Sequence, residues 1–376
     1  MGVFAGPKVV SDGLVLSLDP GNIFKSVDST SNNFLQNGSF AGGLGVTYEA
    51  GSNPTNTIVE LENPGDSNYV LRQNGTNTEY QMNIDSAGYG TLLSNTQYVM
   101  SGWYATSDDY DGGDTMFHAR AYSTGGSHNS TGTGIGTLLY SVEIGGLTWE
   151  YRYETITTPS DYSGDFDWYL GYGTTNTTGY RYYTGLKVEQ GSFPSLLDLS
   201  RNGNDAKVIN GTSYSSANGG SLVFDGVDDY MTSTFAFTAG QAVTISGWLY
   251  STESTTTYRN FVDTSTKPMI WWDTAGKIEF DTGSGYRTPS VYRNQWVYVT
   301  LVKPSGDTVA SYYVNGVFAS NGGVSYSVTA STPTWFNRNG GQTWLGNCSN
   351  VSIYNRVLTA SEIKQNYNAT RGRFGI

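Results

Sequence analysis

Three aspartates crowd one short stretch of the sequence, where carboxylates could together hold a metal ion. Asp225, Asp228 and Asp229 stand in DGVDDY, directly after an apolar run typical of a buried strand. Clustered oxygen ligands on a loop suit Ca²⁺, although the spacing does not follow the D-x-[DN]-x-[DN]-G calcium loop. The alternative, which we favour, is that Asp225 caps its own turn while Asp228 and Asp229 hydrogen-bond neighbouring loops. Calcium stays open as a cofactor, and no other cofactor is predicted.

Exposed aromatic rings are the second kind of candidate, because sugar rings stack on them while polar neighbours bond the hydroxyls. Trp271 and Trp272 are adjacent in a strand pattern, so their side chains point to opposite faces and one should be exposed. Trp149 and the pair Tyr169 and Tyr172 are comparable carbohydrate-binding candidates. Such a ring could equally be buried against another subunit. Three further tryptophans in strand patterns are predicted to be core residues: Trp103, Trp248 and Trp296.

Strands must position these side chains, because the composition favours strands joined by tight turns. The 376 residues include 48 Gly and 29 Tyr, with many Ser, Thr and Asn, and a single stretch near the C-terminus has a helical pattern. A chain of this length can form two all-β domains, since a sandwich needs roughly 100–200 residues. The sequence therefore predicts an all-β protein of two β-sandwich (jelly-roll) domains with one short C-terminal helix.

Segments in the second half of the chain resemble, in their order, the laminin-G-like or concanavalin-A-like family of jelly-roll sandwiches. The segments are residues 198–211, 221–231, 243–250, 294–302 and 311–318. The tail, NVSIYNRVLTASEIKQNYNATRGRFGI, is similar to the closing strand and short helix of such domains on bacteriophage virion proteins. The resemblance implies a lectin-like fold and a place among virion proteins.

This laminin-G-like domain is predicted to be discontinuous. Residues 13–22, GLVLSLDPGN, alternate leucine with small or polar residues, as a half-buried strand does. In the family this strand is followed after a short loop by the segment that here begins only at Asp198. Whole domains are tolerated as inserts at surface loops. We therefore predict an outer domain of residues 1–26 and 194–376, interrupted by an inserted domain of residues 27–193.

The insert resembles the carbohydrate-binding jelly rolls appended to glycanases. Its segments NFLQNGSF, QYVMSGWYA, WYLGYG and GYRYYTGLKVEQGS match the opening, middle and closing strands of that family. In the family an acid follows the NGxF sequence and another lies in the last strand, and both help to hold a structural calcium. Here Ala41 and Gly185 stand at those positions. The family's calcium is therefore not expected in the insert.

No complete catalytic motif is found. Sandwich glucanases of the resembling fold carry E-x-D-x-x-E on one strand, but Glu279 and Asp281 are followed by Ser284 at the third position. Asp165 and Asp167 lie in sequence with a turn-like composition and have no partner at a diagnostic spacing. G-x-S-x-G, P-loop and H-E-x-x-H motifs do not occur. We therefore predict that the chain is not an enzyme.

Charge and targeting signals exclude several classes of partner. The net charge is −12, only 14% of residues are charged, and no Lys/Arg cluster occurs, which disfavours nucleic acid and anionic membranes. No apolar run approaches the length of about 20 residues that membrane insertion requires. The N-terminal sequence lacks a secretory signal pattern, so we expect synthesis in the host cytoplasm and location in the virion. The single cysteine, Cys348, excludes an intramolecular disulfide.

The prediction for function is a bacteriophage structural protein on the virion surface, as a head decoration, fibre or appendage component with weak, lectin-like glycan binding. Its partners would be other virion proteins and host cell-surface glycans, and it would form a homo-oligomer or be present in many copies on the particle. Two alternatives are kept: a receptor-binding adhesin for host surface polysaccharide and a polysaccharide depolymerase.

Overall fold

The computed structural model describes most of the chain. The described residues are 8–20, 35, 40–41, 56–65, 67–74, 80–83, 92–113, 117–126, 128–172, 176–196, 198–210, 212–215, 217–252, 258–263, 268–280, 286–306, 309–322, 330–337 and 341–376. They form two compact units: Met1–Ser26 with Ser195–Ile376, hereafter the outer unit, and Val27–Pro194, the inserted unit. The sequence places the second boundary between residues 193 and 194, and the structure places it between Pro194 and Ser195.

Strands dominate both units, and the one α-helix among the described residues is short and close to the C-terminus. In chain order the elements are β1 (Leu14–Leu18), β2 (Thr57–Glu60), β3 (Tyr69–Gln73), β4 (Tyr80–Asn83), β5 (Gln97–Thr106), β6 (Phe117–Ser123), β7 (His128–Gly134), β8 (Thr137–Ile144), β9 (Leu147–Thr157), β10 (Tyr162–Leu170), β11 (Arg181–Gln190), β12 (Phe193–Leu196), β13 (Ala206–Ile209), β14 (Ser213–Ser215), β15 (Ser221–Asp225), β16 (Tyr230–Ser233), β17 (Val243–Ser251), β18 (Arg259–Asp263), β19 (Pro268–Trp272), β20 (Ile278–Phe280), β21 (Tyr286–Arg287), β22 (Trp296–Lys303), β23 (Ala310–Val314), β24 (Val317–Gly322), β25 (Thr334–Trp335), β26 (Leu345–Tyr354) and α1 (Ala360–Thr370). The predicted all-β fold with one short C-terminal helix is confirmed.

The outer unit consists of two eight-stranded sheets. The first has the order β14-β15-β26-β17-β22-β23-β24, with β1 paired to β26, and the second has the order β12-β13-β16-β25-β18-β19-β20-β21. Their inner faces meet where Phe280 of β20 stacks on Tyr312 of β23, with ring centroids 4.7 Å apart. A Cβ at Gly247 would lie 2.8 Å from Cζ of Phe261, so this close approach between the sheets requires glycine. The outer unit is therefore a sandwich with an aromatic core.

The C-terminal helix packs through aromatic side chains against β17. Trp248 lies 5.6 Å from Tyr367 of α1 and 4.3 Å from Phe374, measured between ring centroids. The helix begins with a capping box, in which the Thr359 hydroxyl accepts from the Glu362 N–H while the Glu362 side chain accepts from the Thr359 N–H. The sequence TASE thus specifies the start of the helix.

The inserted unit consists of a six-stranded sheet, β2-β3-β11-β5-β9-β8, and a four-stranded sheet, β4-β10-β6-β7. Alternating residues of β6 and β10 face a shared core: Phe117, Ala119, Ala121, Phe166, Trp168 and Leu170. Because side chains of a strand alternate between its two faces, the residues between these must lie on the opposite face of the four-stranded sheet. That opposite face carries polar and aromatic side chains.

No helix in the described part of the chain is long and apolar enough to cross a membrane.

Candidate carbohydrate-binding faces and an acidic turn

The non-core face of the four-stranded sheet brings a compact set of hydrogen-bonding groups together. Tyr169 of β10 lies opposite His118 of β6, and Asp167 lies opposite Arg120. Tyr122 follows on the same face of β6. We call these five residues, together with Tyr172, the inserted-unit face. Cross-strand pairing therefore places groups that are far apart in sequence side by side.

Asp167 is the acceptor at the centre of this face. Its Oδ2 accepts hydrogen bonds from the hydroxyls of Tyr122, at 2.9 Å, and Tyr169, at 3.1 Å. The residue is 4% exposed, and Oδ1 is buried without any hydrogen-bond partner. Burial raises the pKa of Tyr169 and of Tyr122, and the Asp167 carboxylate raises both further. Both phenols therefore stay protonated donors to Oδ2, and Oδ1 is left without a partner.

His118 is held in a defined tautomer by Arg120. Arg120 donates from Nε to His118 Nε2 at 3.1 Å and from Nη2 to the Tyr172 hydroxyl at 2.8 Å. Because Nε2 accepts, the imidazole hydrogen is on Nδ1, which is buried and has no partner. The His118 ring also stacks on Tyr172 with centroids 3.9 Å apart. Burial lowers the pKa of His118, and the neighbouring Arg120 charge lowers it further.

The chemistry of the inserted-unit face suits a hydroxyl-rich ligand. Buried polar atoms in proteins nearly always have a hydrogen-bond partner, so Asp167 Oδ1 and His118 Nδ1 need an explanation. One is an acceptor and the other a donor, and neither has a hydrogen-bond partner. A hydroxyl can satisfy either, because it both donates and accepts. The half-buried ring of Tyr172 lies beside them.

A second row of functional side chains crosses the second sheet of the outer unit. Asn260, Trp271, Glu279 and Arg287 face one another in register across β18, β19, β20 and β21. Asn260 is fully buried and its Oδ1 has no partner. Arg287 lies 3.6 Å from the Glu279 carboxylate and also pairs with Asp273. The pKa of Glu279 is raised, because the effect of burial outweighs the hydrogen bond with Trp271, which lowers it. Asp281 and Ser284 lie outside the described residues.

Two of the predicted aromatic candidates are in the core and cannot present a ring to a sugar. Trp149 is 0% exposed because the face of β9 that carries it, with Tyr151 and Tyr153, is buried. Trp272 is also 0% exposed, since it packs edge-on against Trp344 and donates from Nε1 to the Tyr292 carbonyl at 3.2 Å. Contrary to the prediction from the sequence, Trp149 and Trp272 are therefore core residues and not carbohydrate-binding residues.

The remaining aromatic candidates differ in what they can contribute. Tyr169 is 5% exposed, so it acts through its hydroxyl on Asp167 rather than as a stacking platform. Tyr172 and Trp271 are half-buried, and they keep part of their rings accessible. Among the tryptophans predicted to be core residues, Trp103 and Trp248 are fully buried, whereas Trp296 is only partly buried.

Sequence reasoning missed His118, Arg120, Tyr122 and Asp167. Asp167 was predicted to lie in a turn, but it lies inside β10, which runs from Tyr162 to Leu170. The alternation of core and polar residues in FHARAY and FDWYL was the signal that could have identified all four.

The three aspartates of the outer unit do come together on one turn. Each offers a carboxylate oxygen, and these oxygens lie within 4.8 Å of one another. Among the described residues this is the one cluster of three or more His, Cys, Asp or Glu side chains whose ligand atoms lie close enough to hold a metal ion. Asp225 Oδ1 accepts from the Val227 N–H at 2.8 Å, which is the predicted turn cap. Asp229 is 1% exposed, and its Oδ2 accepts from the Asp225 N–H at 2.8 Å. Burial, with repulsion from Asp225 and Asp228, raises the pKa of Asp229 to about 7.

Residues 224–364 match the model of a protein family described as the concanavalin A-like lectin/glucanases superfamily, Laminin_G_3. The match begins at Phe224 in β15 and ends within α1, so it covers most of the outer unit's sandwich. Residues 224–364 form a concanavalin A-like lectin/glucanase domain. The chain therefore contains a lectin-like jelly roll, as the motif order in its second half predicts.

Solved structures that resemble the chain include enzymes and toxin binding domains. A Trypanosoma rangeli sialidase in complex with the inhibitor DANA is 16% identical, with a TM-score of 0.39 over 47% of this chain and 31% of that chain. The binding domain of Paraclostridial Mosquitocidal Protein 1 is 15% identical, with a TM-score of 0.40 over 46% and 49%. The receptor binding domain of botulinum neurotoxin type G is 14% identical, with a TM-score of 0.38 over 46% and 48%. The chain spans less than half the length of each. No curated protein sequence matches it.

The prediction that the chain is not an enzyme is wrong as stated, because sialidases are among the solved structures that resemble it. A broken E-x-D-x-x-E motif excludes one catalytic arrangement and not the enzymes of this fold in general. At this identity and TM-score the likeness concerns the fold alone, and it assigns neither an activity nor catalytic residues to this chain.

Proposed function

We propose that the chain is a glycan-binding protein and that the inserted-unit face is its binding site. The observation that carries the proposal is the pair of buried polar atoms on that face that lack a hydrogen-bond partner, Asp167 Oδ1 and His118 Nδ1. A sugar hydroxyl can donate to the first and accept from the second. The Tyr172 ring, fixed by Arg120 and by the stacked imidazole, supplies an apolar surface beside them.

The expected ligand is an uncharged sugar held weakly at each site. The inserted-unit face contains one cationic side chain, Arg120, and one carboxylate, Asp167, so it has little net charge with which to attract a polyanion. A few hydroxyl bonds and one ring contact correspond to millimolar to micromolar dissociation constants, or about −4 to −8 kcal/mol. Strong adhesion then requires many copies on one particle, because each bound copy raises the effective concentration for the next.

A bacteriophage virion surface is the location we propose for such copies. The support is the similarity of the last strand and helix, β26 and α1, to the tails of lectin-like domains on phage virion proteins. The protein would contact other virion proteins and present its glycan-binding face to the host cell as a head decoration, fibre or appendage component. Recognition of a specific host polysaccharide, as an adhesin, is the more specialised form of the same function.

Glycan arrays followed by calorimetric titration test the binding site. Tyr172→Ala and Asp167→Asn should each abolish binding of the sugars that the unchanged protein recognises. Tyr69→Ala is the matched control, because Tyr69 is an accessible tyrosine of the other sheet of the same unit, 36% exposed. Circular dichroism melting must show that each variant is folded. Binding that survives both site substitutions, or that Tyr69→Ala removes equally, would contradict the proposal.

Labelling of phage particles tests the location separately. Antibodies against the purified protein should decorate one structure of the particle in electron micrographs, and mass spectrometry should find the protein in purified particles. Its absence from washed particles would exclude the virion location and leave the glycan-binding site untouched.

A further inference from the structure

We propose that the inserted-unit face binds at least two consecutive sugar residues, which lie across the strands, and that Gln81 of β4 contacts the second of them. This extension rests on the proposed function, since it concerns the same site and adds one residue to it. The ligand class is then an oligosaccharide or an unbranched stretch of polysaccharide, and not a single sugar.

Gln81 lies on the same face of the four-stranded sheet as the residues already assigned to the site. Its neighbours in β4, Tyr80 and Met82, are both in the core of the inserted unit. Because side chains alternate along a strand, Gln81 must point to the opposite face. It pairs in register with Tyr169 of β10, and Tyr169 pairs in turn with His118 of β6. These positions therefore form one row that crosses three neighbouring strands.

Each of these three strands carries a polar group that has no hydrogen-bond partner in the protein. On β6 the group is His118 Nδ1, and on β10 it is Asp167 Oδ1. On β4 it is the Gln81 carboxamide, which forms no hydrogen bond within the described part of the chain. Gln81 is half-buried, so part of its side chain is accessible. An accessible carboxamide without a protein partner normally bonds to water, which a sugar hydroxyl can replace.

The row is wider than one sugar ring. Neighbouring strands lie about 4.8 Å apart, so β4 and β6, which both pair with β10, are separated by roughly 10 Å. A pyranose ring is about as wide as one strand spacing, so a single ring can contact groups on two adjacent strands. Contact with Gln81 as well as with Asp167 and His118 therefore requires a second ring beside the first.

The two ends of the row offer different contacts to the two sugars. Tyr172 stacks on His118, so the aromatic surface lies at the β6 end. Gln81, at the β4 end, offers a carboxamide that both donates and accepts, as a sugar hydroxyl does. Gln81 has no formal charge, so it adds hydrogen bonds without changing the charge of the face. The first sugar would then be held by ring contact and hydrogen bonds, and the second by hydrogen bonds.

Calorimetric titration of the full chain with saccharides of increasing length tests this extension of the site. The probes are mono-, di-, tri- and tetrasaccharides prepared by partial hydrolysis of the polysaccharide with the strongest glycan-array signal. Gln81→Ala removes the carboxamide, and Gln81→Glu keeps its size but replaces the N–H donors by a negative charge. Gln97→Ala is the matched control, because Gln97 is a half-buried glutamine of β5, in the other sheet of the same unit. Circular dichroism melting shows whether each variant is folded.

The unchanged protein should bind the disaccharide and the longer probes at least tenfold more tightly than the monosaccharide. Gln81→Ala and Gln81→Glu should weaken trisaccharide binding roughly five- to tenfold, as the loss of hydrogen bonds predicts, and so remove most of the gain with length. Gln97→Ala should keep the gain. Equal affinity for the mono- and trisaccharide, or a full gain in either folded Gln81 variant, would overturn the two-sugar site alone, because the protein would still bind glycan. Failure to bind any of the probes would instead contradict the proposed function itself.

Discussion

Leu16 of β1 lies directly opposite Ile353 of β26, and both side chains are fully buried. The first described strand of the chain therefore completes a sheet whose other strands all follow the inserted unit. Leu18 pairs with Val351 in the same ladder, and both of these side chains are also buried. The pairing contributes core residues as well as backbone hydrogen bonds, so the outer unit depends on chain from both sides of the insert.

The two units should behave differently when they are expressed apart. Residues 27–193 should unfold cooperatively on their own, because they contain both sheets of the inserted unit. Residues 194–376 should be markedly less stable without β1. The loss of Leu16 and Leu18 removes two core side chains and leaves the part of β26 that pairs with β1 without its partner strand. Thermal unfolding of residues 194–376 with and without an added 1–26 peptide measures this difference. Equal melting temperatures in the two samples would contradict a discontinuous outer domain.

The adjacent tryptophans Trp271 and Trp272 should destabilise the protein by unequal amounts when replaced. Trp272→Ala removes a fully buried ring and should destabilise the protein by about 3–5 kcal/mol. Trp271→Ala changes a half-buried ring on the other face and should cost about 1 kcal/mol or less. Urea unfolding of the two variants measures both values. Similar losses in the two variants would show that Trp271 also supports the fold.

The contrast between these two residues shows what the sequence can and cannot predict. Strand alternation correctly indicates that only one of two adjacent tryptophans can be in the core, but it does not say which sheet face is covered. Trp149 was misjudged for this reason, because the residues that bury it are distant in sequence. The apolar run before Asp225 and the turn cap are local patterns, and the structure contains both. The inserted-unit face depends on the register of β6 with β10, which local patterns do not reveal.

The start of α1 should be sensitive to acid. Glu362 accepts from the Arg356 guanidinium at 2.6 Å and from the Thr359 N–H at 2.8 Å, and these bonds lower its pKa to about 2. A carboxyl group with a lowered pKa stabilises the fold at pH values above its ordinary pKa. That stability is lost as the pH falls towards 2. Glu362→Gln should therefore lower stability at pH 7 and flatten its decline between pH 5 and 2, measured by urea unfolding. Asp12→Asn is the control, because Asp12 pairs with the same arginine but is 86% exposed. An equal effect of both substitutions would contradict the role of the helix cap.

Glycan binding by the inserted-unit face should decrease in acid because His118 must be neutral there. In the neutral ring Nε2 accepts from Arg120, and Nδ1–H, which has no partner in the protein, is the donor that we propose for the ligand. Protonation places a hydrogen on Nε2, which then faces the Arg120 donor and breaks that contact. Burial and the Arg120 charge lower the pKa of His118. Binding, and this histidine's contribution to stability, should therefore be complete above the ordinary histidine pKa of about 6.5 and disappear as pH falls through the lower folded value.

Nuclear magnetic resonance can follow this titration directly, because the chain contains only two histidines. His128→Asn leaves a single imidazole signal, which should titrate below pH 6.5 and in parallel with the loss of glycan affinity measured by calorimetry. His118→Asn should remove the pH dependence of any residual binding, whereas His128→Asn should preserve it. If the His118 signal titrates above the ordinary value, or if glycan affinity is constant while that signal titrates, then the imidazole does not take part in binding. The Nδ1–H group of His118 would in that case have no role in binding, and its lack of a partner would be a consequence of packing alone.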